Sequence, residues 1–137
     1  MAMLSFPLIA LAVIAYNVIG FFSSAPWSSE IFSLTMVSGT VWRFELGDLM
    51  IVIALILLFF EILKATRTGA SSLLDHALSM VLFIICLMEF LLVPIAATST
   101  YFVIMVIVLI DVVAGYSVTI TSARRDFNVD RHPGGPF

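Results

Sequence analysis

Long apolar runs separated by short polar breaks fill most of the chain. Four of them, at about residues 4–22, 49–63, 73–93 and 101–121, approach or exceed what a membrane helix needs. A hydrocarbon core of roughly 30 Å takes about 20 apolar residues in an α-helix. The pattern therefore predicts an all-α membrane protein, a four transmembrane helix bundle occupying 1–123 with a tail at 124–137. The first run could be mistaken for a secretory signal, but no Lys or Arg precedes it and it exceeds the roughly 7–15 residues of a signal core. Asp48 stands at the start of the second run, where it can cap free backbone N–H groups and meet the positive end of the helix dipole. Pro94 follows the third run, and Thr98-Ser99-Thr100, suited to capping, precedes the fourth.

Between the first two runs, at 23–47, the period changes. Phe32, Leu34 and Met36 alternate with Ser33 and Thr35, and Trp42, Phe44 and Leu46 alternate with Arg43 and Glu45, on either side of Ser38-Gly39. Period-two alternation around such a turn signals a β-hairpin. An isolated two-stranded hairpin is marginal in water, so its apolar face needs cover from the bundle, from lipid headgroups or from another protein. The leading expectation is a lid packed on the chain's own helices. A docking surface for a partner, using Trp42, Phe44 and Arg43, is the second.

Composition closes off several classes. Of 137 residues, 62% are hydrophobic and 11% charged, and the mean hydropathy is +1.19, which excludes an ordinary water-soluble domain. With a net charge of −3 and only six scattered Lys and Arg, there is no basic face for nucleic acid. The single cysteine, Cys86, offers neither a disulfide nor a thiolate metal site; it reads as a buried small apolar residue. Met80, Met88 and Met105 read as gap-fillers. His132 has no second ligand at useful spacing, so no metal is expected. Lys64, Arg67, Arg124, Arg125 and Arg131 fall on one side of the predicted spans and Arg43 on the other. Positive residues are retained inside, so both termini are expected in the cytoplasm, with the chain in a bacterial inner membrane and the hairpin outside. The tail, rich in Pro and Gly at its end, is expected to be poorly ordered there.

Ionisable residues inside the runs carry the candidate chemistry, because acids in a membrane are rare and face a bundle interior or a cavity. Placing the end of span three near Ala97 and the start of span four near Thr100 puts Glu89 and Asp111 roughly 12 and 16 Å deep. Two acids at similar depth on antiparallel neighbours can meet, and a shared proton, a bound cation or a partner's positive residue would resolve their repulsion. A protonated acid bonded to a neighbouring helix is the structural alternative. Asn17 and Asp48 join Glu89 and Asp111 as ion- or proton-binding candidates. A second polar cluster, Glu61, Lys64, Asp75 and His76, is placed at the cytoplasmic interface, with Glu61 and Lys64 as a local ion pair, Asp75 as a helix cap and His76 as a group that can titrate near neutral pH. Ala114 and Gly115 allow close helix approach.

In length and helix count the chain resembles the small multidrug-resistance transporters, but span one carries Asn17 where that family carries a carboxylate. Four-helix thiol oxidoreductases of the vitamin K epoxide reductase kind need paired cysteines, where this chain has only Cys86; in size and helix count it is similar to the small membrane subunit of tripartite periplasmic transporters, to which no motif ties it. No paired histidines for haem, phosphate loop or nucleophile elbow is present, so neither an enzyme nor a cofactor is expected. The expectation is a non-catalytic accessory or scaffolding subunit in a lipid bilayer, as a homo-oligomer or within a larger complex. The alternative is a small proton- or cation-coupled transporter or channel built on the acid pair.

Overall fold

The computed structural model describes residues 6–65 and 70–130. The elements run α1 (Ala10–Phe22), β1 (Glu30–Thr35), β2 (Val41–Glu45), α2 (Leu46–Ala65), α3 (Ala70–Leu92), a 3-10 turn (Pro94–Ala96) and α4 (Ser99–Asp130). The fold is mostly helical, with one small antiparallel sheet between α1 and α2. The helical stretches Leu46–Lys64, Leu74–Leu92 and Ser99–Ser117 are each long and apolar enough to cross a membrane. The expectations for Leu4, Arg67, Arg131 and His132 fall outside the described residues.

α1 is shorter than its apolar run. Pro7 has no N–H and disfavours helix in the residue before it, and the chain beyond it winds first through tight bonds from Ala10 N–H to the Pro7 carbonyl and Leu11 N–H to that of Leu8. At 13 residues the helix rises roughly 20 Å, less than a hydrocarbon core. α4 departs the other way. The expected tail begins as helix, because nothing between Ser122 and Asp130 breaks it, and its 32 residues rise roughly 48 Å, beyond what a bilayer core contains.

Every described helix is apolar on most sides, so small and polar residues mark the faces that meet. α4 is central, packed against both α2 and α3. Met50, Ala54 and Leu58 line the buried face of α2, with Glu61 next on the same stripe; Tyr101, Ile104, Met105 and Val108 line that of α4, followed by Asp111. These recur at three- and four-residue steps, the spacing that places side chains on one helix face. α1 adds Ile9, Ala12, Val13 and Tyr16. Large apolar side chains such as Leu55, Ile56, Phe59, Ile84 and Leu91 point outward, where lipid would be their solvent. Met105 fills the core as expected, whereas Met80 and Met88 face outward.

The hairpin forms where the alternation predicts it, and its register is given by the strand pairing. Phe32 pairs with Phe44, Ser33 with Arg43 and Leu34 with Trp42, which puts the aromatic residues on one face. The turn uses Gly39 at φ +88°, the left-handed conformation that glycine adopts without a Cβ penalty. It is not a lid, however. Every residue of β1 is exposed, as are Val41, Trp42 and Arg43 of β2. The reason lies in connectivity: β2 runs straight into α2 at Leu46, so the hairpin extends from the end of that helix rather than folding over the bundle.

Candidate functional site

Polar groups inside the bundle gather in two layers, one near the hairpin and one at the opposite end. In the hairpin-end layer Tyr16 from α1 is fully buried. Its hydroxyl donates to the Ile95 carbonyl at 2.9 Å and lies 2.6 Å from Thr98 Oγ1. The Tyr16 ring stacks on Trp27 at 4.3 Å and meets the edge of Tyr101 at 5.0 Å. The Tyr101 hydroxyl donates to Glu89 Oε2 at 3.1 Å, and Cys86, also fully buried, borders Tyr101. Thr98 caps α4 as expected, accepting the Tyr101 N–H at 3.1 Å. Asp48, the third residue of α2, reaches back to accept the Glu45 N–H at 3.0 Å, as the third helical residue does in a capping box.

The opposite layer joins all four helices. α1 starts short of the bundle end, and its first N–H groups have no partners within the helix. Glu61 of α2 supplies one: its Oε2 accepts the Leu8 N–H at 2.7 Å. Lys64 donates to the Phe6 carbonyl at 2.8 Å and lies 3.6 Å from Glu61 and 3.8 Å from Asp75 of α3. Ser79, one turn on from Asp75, donates to the Asp75 carbonyl at 3.1 Å and borders the Asp111 carboxyl of α4. His76 sits directly over Gly115, with its ring 5.5 Å from that of Tyr116. Glu61, Asp75, His76, Ser79 and Asp111 are all buried.

The anticipated Glu89–Asp111 pair does not form. Glu89 meets Tyr101 while Asp111 meets Ser79, and α3 rises roughly 15 Å from Ser79 to Glu89. The depth estimate fails because α3 ends at Leu92, not near Ala97; Pro94 opens a separate 3-10 turn. Glu89 thus lies close to the helix end and Asp111 far along α4. Asn17 bonds to the Val13 carbonyl of its own helix at 3.0 Å and Asp48 is occupied in capping, so the four candidates are not assembled into one site.

Glu61, Lys64, Asp75 and His76 do come together, with the expected Glu61–Lys64 contact. Glu61, Asp75 and His76 are buried within the protein while Lys64 is partly exposed at the end of α2, and Asp75 is no cap, because α3 begins earlier, at Ala70. Phe6, Leu8, Ser79 and Asp111 belong to it as well. Asp111 could have been included from its place on the buried stripe of α4. Phe6 and Leu8 act through backbone atoms, for which no side chain gives a signal. On the hairpin, Arg43 lies opposite the aromatic face and pairs with exposed Glu30 at 3.6 Å.

Among the described residues no group of three His, Cys, Asp or Glu is arranged to hold a metal ion. The arrangement defines a class: a helical protein with apolar outer surfaces, three helices fit to cross a membrane, and buried ionisable residues in its bundle. Set against protein-family models, curated proteins and solved structures, the chain matches none.

Proposed function

We propose that this chain is a small integral membrane protein of four crossings that acts as a non-catalytic accessory or scaffolding subunit and engages its partner through the β-hairpin. The observation that carries the reading is the uncovered aromatic face. Phe32 stacks on Phe44 at 4.9 Å and meets the edge of Trp42 at 5.6 Å, yet Phe32, Leu34 and Trp42 are 43%, 53% and 43% exposed. Interlocked aromatic residues outside the core are the usual anchors of protein interfaces, and a two-stranded hairpin gains its stability from whatever covers it. The partner is a further membrane subunit or a second copy of the chain.

Four crossings are supported by two backbone contacts at either end of α2. The Phe6 carbonyl is held by Lys64, and the Trp27 carbonyl accepts the Gly47 N–H at 2.8 Å. Between those anchors α2 rises roughly 26 Å. The segment containing α1 therefore traverses nearly the same depth as α2, although its helix alone is short.

Photo-crosslinking residues placed at Leu34 and Trp42 test the docking role in native membranes. The expected product is a discrete protein adduct, lost when Phe44→Ala disturbs the aromatic face and absent from a control probe at Ser33 on the other face. Adducts to lipid alone, or equal adducts from both faces, overturn the reading.

A further inference from the structure

At the end of the bundle away from the hairpin, the buried carboxyl groups outnumber the positive charges that face them. Glu61, Asp75 and Asp111 are 3%, 7% and 3% exposed. Glu61 has the Leu8 N–H, at the positive end of α1, as well as Lys64. Asp75 shares the same ammonium through Oδ2, while its Oδ1 is buried with no hydrogen-bond partner. No ion pair reaches Asp111 among the described residues, although the Lys64 charge acts on it from a distance. It borders the Ser79 hydroxyl and faces the charge of Glu61, and its Oδ2 is a buried oxygen with no hydrogen-bond partner.

Burying a charge without a partner is among the most costly arrangements in a protein, and a second like charge nearby adds to that cost. A ligand that cancels the Asp111 charge must therefore be available. A metal ion needs several oxygen donors converging on one point, an arrangement not found among the described residues. A proton needs one oxygen, which Oδ2 provides.

We propose that Asp111 is a proton-binding residue, whose carboxyl takes up and releases a proton inside the bundle beside Glu61 and Lys64. The other titratable groups of the cluster are Asp75 and His76 on α3, and Tyr116 of α4 lies against the His76 ring; from α1 the cluster receives backbone atoms of Phe6 and Leu8. Release of the proton places a new negative charge opposite Glu61, the carboxylate that holds the start of α1. Occupancy of Asp111 is thereby coupled to the docking of the Phe6–Leu8 segment. The site stands independently of the docking role of the hairpin.

Infrared titration of the full chain in phosphatidylcholine vesicles tests the proposal. The expected result is a protonated-carboxyl stretch that disappears toward alkaline pH, is missing in Asp111→Asn and persists in Glu89→Gln, the acid of the other layer. Asp111→Glu, which keeps a carboxyl, should restore a titrating band at a shifted position and covers the case in which the Asn variant fails to fold. A band that survives in Asp111→Asn, or a wild-type spectrum without one at any pH, overturns the assignment. So does a titration that moves with sodium or potassium concentration in wild type but not in Asp111→Glu, which would make the site one for a cation.

Discussion

A Cβ at Gly115 would overlap the His76 imidazole, so α3 and α4 approach closely there because one side chain is missing and another fills the space. The ring has little freedom to yield: His76 is buried and packs against Tyr116. Gly115→Ala should therefore lower stability by roughly 1–3 kcal/mol, the usual cost of overpacking a filled site. His76→Ala removes the obstacle, so the double variant should lose less than the sum of the two single losses. Thermal unfolding in one detergent, run on all four proteins, measures the coupling; strict additivity would mean that the contact carries no energy. The sequence marked Gly115 as a place for close approach, since small residues in apolar helices have that use. It did not identify His76 as the group received, because the pairing depends on where α3 and α4 begin and end.

Those element ends are where sequence pattern and structure part. Alternation named the hairpin and its aromatic face because side-chain direction in a strand follows from position alone, whereas the pairing register came only with the structure. Hydropathy located the long helices for a similar reason: twenty apolar residues are visible without knowing their neighbours. It could not show which face of an almost uniformly apolar helix turns inward, nor that α1 begins only beyond Pro7; and the depth estimate, which carried span three past Pro94 to Ala97, misplaced Glu89, because α3 ends at Leu92. The shortened α1 also explains Glu61. A helix beginning inside the bundle leaves N–H groups away from water, where each needs an acceptor. Glu61→Leu should strip Leu8 of its acceptor and Lys64 of one carboxylate, at roughly 1–3 kcal/mol for the buried group left unsatisfied. Glu61→Gln keeps an oxygen in place and should cost less. Hydrogen exchange at the Leu8 amide distinguishes the variants: protection is expected in wild type and Glu61→Gln and lost in Glu61→Leu. Protection equal in all three would mean that Glu61 does not hold the helix start.

Across the whole molecule the contacts sort into two ends, and the sorting constrains how the chain sits in a bilayer. Phe6 lies beside Lys64, and Gly115 of α4 lies beside His76, so the segment leading into α1 and the later part of α4 lie at the same end. The hairpin, Trp27 and Gly47 occupy the other. Lys64 sits at the first end, and Arg124 and Arg125 follow Gly115 along α4, while Arg43 is on the hairpin. Basic residues near helix ends set orientation through their retention in the cytoplasm, and the orientation expected on that rule has the Lys64 end inside and the hairpin outside. A fluorescent reporter fused after Phe137 should then fold in the cytoplasm, and a periplasm-dependent phosphatase inserted at Ser38 should be active. The two reporters constrain different features. An inactive phosphatase at Ser38 beside a cytoplasmic C-terminus would mean that the helical segments do not carry the hairpin across. A phosphatase active at both positions would separate the two ends of α4 from the sides that its packing against α3 requires, because two antiparallel neighbours joined by the short Pro94–Ala96 turn must return the chain to the side from which α3 began.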